Sequence, residues 1–272
     1  MEKKHTDPEP LDDDEHERNR DRDRDYESSF ARGLEVIRAF TRHAPKCTLS
    51  EVAESTGMTR ATARRFLITL VREGYAHTDG KHFSLRPKVL ELGYSALSSM
   101  KIWDVAQPIL NTLAEAVQES CYAAVLDGDS VIYVARATSR RMVSVDITIG
   151  NRAPAHCVST GRVLLASLPG DQLNDYLENV KLTKITPNTV TSKVKLRSLI
   201  DEARLQGWST VDQEHEVGLR SLSVPIRDRS GNVIAALNIC CPSDRITPKD
   251  MSTRILHELM EASNEITRAL QN

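Results

Sequence analysis

Arg60, Arg64 and Arg65 follow closely on Thr59, with Ala61 and Thr62 among them. Guanidinium groups are planar forks of donors that match guanine edges and phosphate oxygens, and small side chains let a helix approach a duplex closely. The chemistry these residues suit is contact with double-stranded DNA, through Arg60, Arg64 and Arg65 first, then Thr59, Ala61 and Thr62. For that they must share the outer face of one helix. Ala63, Phe66, Leu67 and Leu70 recur at i, i+3, i+4 and i+7, which predicts a helix from about Arg60 with its apolar stripe turned away from Ala61 and Arg65. Thr59 is a good N-cap, Gly57 permits the positive φ of a tight turn, and Leu49, Val52 and Ala53 predict a shorter helix before that turn.

The flanks extend this pair. Phe30, Leu34, Ile37 and Phe40 predict an earlier amphipathic helix, and the stretch from Tyr75 to Leu85 predicts a hairpin turning at Asp79-Gly80. Three helices and a hairpin make a winged helix-turn-helix. Lys81 and His82 at the wing tip would lie along phosphates, where contacts orient a protein without specifying bases. A plain helical hairpin with a solvated basic face would show the same periodicity.

A second chemistry sits at Ala-His-Cys-Val-Ser-Thr-Gly-Arg, residues 155–162, which runs into the predicted helix STGRVLLASL. A helix N-terminus offers unpaired N–H groups and partial positive charge, so Ser159, Thr160 and Gly161 form a candidate cradle for a carboxylate. Ser159 would serve equally as a plain helix cap. His156, Cys157 and Ser159 also raise a nucleophile reading, but the chain has no G-x-S-x-G, G-x-x-x-x-G-K-[ST], H-E-x-x-H or dinucleotide fingerprint, so no catalytic residue and no cofactor is expected. The five cysteines are odd in number and lack paired C-x-x-C spacing, which predicts neither a disulfide framework nor a metal site; Cys240-Cys241 closes an apolar run and reads as buried small hydrophobes.

Charge is unevenly distributed. Residues 1–27 carry 6 Lys and Arg against 12 Asp and Glu, net −6; residues 28–88 carry 11 against 5, net +6; residues 89–272 carry 19 against 21, net −2. A nearly neutral chain thus contains a basic module the size of a small DNA-binding domain. The acidic stretch 1–27 has almost nothing apolar to bury and is expected to be a disordered solvating tail. With 272 residues, 40% of them hydrophobic, the chain has room for that module and a larger domain with its own core. No apolar run approaches the ~20 residues of a membrane span, and the charged N-terminus lacks a signal-peptide core. A cytoplasmic protein with no membrane partner is expected.

From Pro87 the stretch KVLELGYSALSSM predicts a linker helix over 89–104 whose stripe of Val89, Gly93, Ala96 and Leu97 suits pairing of subunits or packing on its own domain. Residues 105–272 then alternate. A helix at WDVAQPILNTLAEAVQES, a hairpin turning at Asp127 to Ser130, a strand VSVDITIG, a loop rich in Pro and His, and the helices STGRVLLASL, DQLNDYLENV and KVKLRSLIDEARLQG are expected. Strand WSTVDQ, hairpin SLSVPIRDRSGNVIAALNIC and a final helix with Met251, Ile255, Leu259, Ile266 and Leu270 complete an α+β fold.

So many ordered motifs resemble one family. FARGLEVIRAF, LSEVAESTGMTRATARRFLITLVREGY, FSLRPKVLELGYSALSS, VIYVARATSRR, IGNRAPAHCVSTGRVLLASLP, VDQEHEVGLRSLSVPIRD and GNVIAALNI are similar to the IclR-family transcriptional regulators, and within them to the PcaR/PcaU/PobR group. The resemblance implies an N-terminal winged helix-turn-helix, a C-terminal GAF-like effector-binding domain, and homodimers or tetramers on palindromic operators. It also implies a small aromatic or dicarboxylic acid effector, with control of protocatechuate, 4-hydroxybenzoate, catechol or β-ketoadipate catabolism. It places residues 155–162 beside the effector pocket, so that His156, Asp212, Ser221 and Asn238 would meet ligand hydroxyls and Arg136 a second acidic group. On chemistry alone Arg136 reads equally as a solvated strand residue, and Asp212 and Glu214 as hydrogen-bonding their own turn. A regulator of another carboxylate pathway, or a DNA binder without an effector, remains the alternative. The acidic extension falls outside the family pattern.

Overall fold

The computed structural model describes residues 27–41, 43–93, 102–138 and 147–271. The expected acidic tail and most of the expected linker helix, Ala96 and Leu97 included, lie outside them. The chain divides into two compact units, Met1–Ser99 and Met100–Asn272.

In the first unit α1 (Ser28–Arg38), β1 (Cys47–Thr48), α2 (Leu49–Ser55), α3 (Arg60–Arg72), β2 (Ala76–Thr78) and β3 (His82–Leu85) surround one core of Val36, Val52, Ala53, Ala63, Leu67 and Phe83. The helix-turn-helix stands where periodicity placed it. Gly57 takes φ 63° in the turn, and the Thr59 hydroxyl caps α3 by accepting from the Thr62 amide at 3.2 Å. α2 begins with a reciprocal cap, in which the Thr48 amide and hydroxyl donate to Glu51 and the Glu51 amide donates to the Thr48 hydroxyl. The three strands pair antiparallel in the order β1-β3-β2. α1 buries its face differently from expectation. Val36 is its fully buried residue while Phe30 is 68% exposed. After β3 a 3₁₀ turn at Pro87–Leu90 leads to helical residues 91–93, with Val89 half-buried and Gly93 exposed.

The second unit is a six-stranded antiparallel sheet in the order β6-β5-β4-β9-β8-β7, made of β4 (Ser120–Asp127), β5 (Ser130–Ala137), β6 (Arg152–Pro154), β7 (Ser209–Asp212), β8 (Leu219–Arg227) and β9 (Val233–Pro242). Both faces are covered. On one lie α4 (Ile102–Val117) and the C-terminal α8 (Leu256–Gln271), preceded by a π-helical turn at Met251–Ile255; Leu110, Leu222, Leu237, Ile239, Ile255 and Leu259 fill that core. On the other lie α5 (Ser159–Ala166), α6 (Gly170–Asn179) and α7 (Lys193–Gln206), with Tyr122, Leu165, Leu173, Leu196 and Ile200 between them and the sheet. Gly207 ends α7 in the left-handed conformation.

Two sequence expectations fail around residue 150. The described part of the strand expected at VSVDITIG, residues 147–150, is coil and turn. The stretch expected as loop instead holds β6 and a 3₁₀ turn, Ala155–Cys157. Three residues of edge strand, made by register with Ser130, Val131 and Ile132, leave too short a pattern for period-2 reading.

Candidate nucleic-acid interface and ligand pocket

On α3 the apolar stripe faces inward, with Ala63 and Leu67 wholly buried, so Arg60, Ala61, Arg64 and Arg65 are exposed together. Among the described residues no ion pair engages the three arginines. Thr59 is exposed but its hydroxyl is occupied by the cap, and half-buried Thr62 sets its own hydroxyl 3.0 Å from that of Thr59. These two threonines therefore fix where α3 starts.

At the wing tip Lys81 is exposed. His82 is half-buried, with Nδ1 3.3 Å from Asp79. The Asp79 carboxylate accepts from the His82 and Lys81 amides at 2.7 and 2.9 Å, and these bonds hold it well below the usual carboxylate range. The tip is thus a turn braced by Asp79, with Lys81 exposed on it.

In the second unit the row of strand partners Arg136–Tyr122–Asn238–Ser223–Ser209 crosses five strands on the face covered by α5. Ser159 meets the middle of this row. Its Oγ lies 2.9 Å from Ser221 Oγ and 2.8 Å from Ser223 Oγ, and accepts from Asn238 Nδ2 at 3.1 Å. It does not cap α5, whose N-cap is Val158 with no side-chain bond. The first amides of α5 consequently have no helical acceptor. Gly161 allows the approach: a Cβ there would stand 2.0 Å from the Ala155 carbonyl oxygen.

Beside this N-terminus opens a cavity of about 200 Å³ whose wall includes Tyr133, Val158, Glu214, Ser221, Asn238 and Cys240. An apolar void of ~150 Å³ accepts benzene, so one substituted ring fits. Tyr133 is edge-on to buried Tyr122, ring centroids 5.8 Å apart, and burial pushes the Tyr122 phenol up to about 12. Glu214 is held by Arg162, whose Nη2 donates to both carboxylate oxygens at 2.7 Å, and by the Val190 amide at 3.1 Å. Burying such a pair is tolerable only where the two charges meet directly, as they do here through Arg162 Nη2.

Of the residues singled out from sequence, Ser221 and Asn238 line the cavity and Ser159 stands behind them. The rest lie elsewhere. Thr160 is buried in α5 and Gly161 packs on Ala155. Arg136 belongs to the polar row, next to Tyr122, outside the cavity wall. His156 is buried with Nε2 3.3 Å from the Thr183 carbonyl, and burial lowers its pKa. Asp212 points to the opposite face of the sheet, where it pairs with Arg220 at 2.9 Å, since Arg220 alternates in step with core residues Leu222 and Val224.

Tyr133, Cys240 and Arg162 escaped sequence reading, although Tyr133 is the large residue at an inward position of the alternating VIYVARA. His156 and Cys157 are not a nucleophile and base. The thiol donates to the Pro154 carbonyl at 3.4 Å, burial raises its pKa to about 12, and the imidazole is engaged elsewhere. All five cysteines are buried and free; Cys240 and Cys241 enter opposite cores.

An exposed arginine face on a capped helix-turn-helix, in a chain whose other unit holds a largely apolar cavity with a few polar wall groups, defines a ligand-responsive DNA-binding regulator. Models of the IclR helix-turn-helix domain and of the C-terminal domain of bacterial IclR transcriptional regulators match residues 29–80 and 94–268. The chain belongs to the IclR family of transcriptional regulators. It is 42% identical over 246 residues to the Pca regulon regulatory protein of Pseudomonas putida, covering 90% of this chain and 84% of that one. A crystal structure of a transcriptional regulator from Rhodococcus sp. RHA1 is 46% identical with a TM-score of 0.79, over 90% of this chain and 98% of that one. An IclR homolog from Microbacterium hydrocarbonoxydans complexed with 4-hydroxybenzoate is 25% identical with a TM-score of 0.77, over 89% and 99%.

Proposed function

We propose that this chain controls an operon for catabolism of an aromatic acid, in the protocatechuate, 4-hydroxybenzoate, catechol or β-ketoadipate branch, as a cytoplasmic homodimer or tetramer. Residues 28–88 bind duplex operator DNA through Arg60, Arg64, Arg65 and Lys81, residues 89–104 link and pair subunits, and residues 105–272 bind the acid. Effector binding changes the populations of linker arrangements and with them the spacing of the two reader helices. The observation that carries this reading is the cavity at the α5 N-terminus. The Tyr133 ring suits an aromatic body, and Ser221 and Asn238 supply polar contacts. The Pseudomonas relative's name and the neighbour's bound 4-hydroxybenzoate support the same class of acid. Among the described residues no helix is long and apolar enough to cross a membrane. Thermal-shift measurements over protocatechuate, 4-hydroxybenzoate, catechol, cis,cis-muconate, β-ketoadipate and shikimate test the assignment. At least one should raise the melting temperature in proportion to the logarithm of its concentration, and no response to any of them would refute it.

A further inference from the structure

The outer face of α3 is electrostatically incomplete. The helix contains Arg60, Arg64, Arg65 and Arg72 and no Asp or Glu, and its first turn, at the positive end of the helix dipole, holds no carboxylate. Arg60 and Arg64 stand one turn apart, where like charges oppose the helix that carries them. Arg60, Arg64 and Arg65 are exposed, and among the described residues no ion pair engages them.

The complementary charge lies in the same chain. Residues 7–17, DPEPLDDDEHE, carry seven Asp and Glu and no Lys or Arg, whereas residues 18–27, RNRDRDRDYE, carry four charges of each sign. An acidic block of net −7 is thus followed by a spacer of ten residues with no net charge. The spacer ends at Glu27, whose carboxylate caps α1 by accepting from the Ser29 amide at 3.0 Å. Gly33 on α1 faces α3, since a Cβ there would lie 3.8 Å from the Phe66 ring. From Ser28 along α1, across to α3 and back to Arg60 is a path of about 30 Å, taking ~1.5 Å per helical residue and ~10 Å between helix axes. Ten extended residues span up to about 33–36 Å, so the block reaches the arginines without straining the chain. On so short a tether its effective concentration is in the mM range, which offsets the weakness of each exposed ion pair.

We propose that the acidic block at residues 7–17 occupies the arginine face of α3 whenever DNA does not, so that every duplex must displace a competitor supplied by the protein itself. This rests on the reading that α3 contacts duplex DNA. A competitor on the same chain divides all duplex affinities by one factor. Weak, sequence-independent contacts then drop below the working concentration while a specific complex survives.

Anisotropy titrations of a labelled duplex compare the full chain with a variant carrying Asp12→Asn, Asp13→Asn, Asp14→Asn, Glu15→Gln and Glu17→Gln. The variant should bind roughly three- to tenfold more tightly at about 50 mM salt, with a smaller gain at about 200 mM. Repulsion of DNA by net charge alone would give a similar gain, so docking is read directly by a second measurement. All five native cysteines are buried, which lets a nitroxide attach selectively at Leu11→Cys in the full chain. Without DNA the label should broaden the amide resonances of Arg60 to Arg65, and added duplex should sharpen them again. Equal affinities of parent and neutralised variant, or an α3 no more broadened than α7 of the second unit, would overturn the proposal. Failure of both chains to bind any duplex would instead overturn the underlying DNA reading, while the broadening still decides whether the block docks.

Discussion

Single side chains carry both ends of this regulator. Arg65 projects from the outer face of α3 with no protein partner among the described residues. Arg65→Ala should weaken binding to a preferred duplex by roughly 1–3 kcal/mol if it reads a base. A loss that is equal on unrelated duplexes in a competition assay would make it a phosphate contact instead. Gly161 is a residue of a different kind, because a methyl group there collides with the Ala155 backbone and a backbone cannot step aside as a flexible side chain can. Gly161→Ala is expected to displace the α5 N-terminus, lowering the melting temperature and abolishing acid binding; a variant that melts like the parent and binds the acid would contradict the packing described. The exposed face of α3 was legible because it follows from a period of 3.6 and needs no long-range information. Pocket residues were legible only in part. Asn238 and Ser221 were within reach of motif and chemistry, whereas the outward turn of Asp212 depends on the phase of β8 relative to its core.

At the level of elements, the cavity is held together by pieces distant in sequence. α5, the segment carrying Thr183 to Val190, and the turn around Glu214 are joined by the Arg162–Glu214 pair, by the Thr186 and Thr189 hydroxyls on the Glu214 carbonyl, and by His156 against Thr183. Burial lowers the pKa of His156 from the ordinary 6.5. The unfolded chain then binds a proton that the folded chain refuses, so stability is full above about pH 6.5 and falls as pH drops toward the lowered folded value. Melting curves between about pH 7.5 and 5.5 should show this loss, and His156→Asn should lessen it. Equal pH slopes in parent and variant would remove His156 from the account. Long periodic elements such as α3, α7 and the β8–β9 hairpin were legible from sequence. β6, the 3₁₀ turns and the exposed start of α1 were not, since they are short and fixed by tertiary register.

For the molecule as a whole, a net charge near zero conceals an acidic tail, a basic reader and a nearly neutral ligand-binding unit. Because phosphate contacts release counterions, DNA affinity of the full chain should fall steeply and linearly in log–log terms as salt rises, although the overall charge is −2. The central claim is that pocket and reader are energetically linked. Linkage is reciprocal: if the acid changes DNA affinity by some factor, DNA must change acid affinity by that same factor. The decisive measurement is titration of the preferred acid into the full chain, free and saturated with a duplex that the protein has itself selected from random sequence. The account predicts dissociation constants that differ by roughly five-fold or more, matched by the shift the acid causes in DNA affinity. Tight acid binding with the same constant in both states would contradict it.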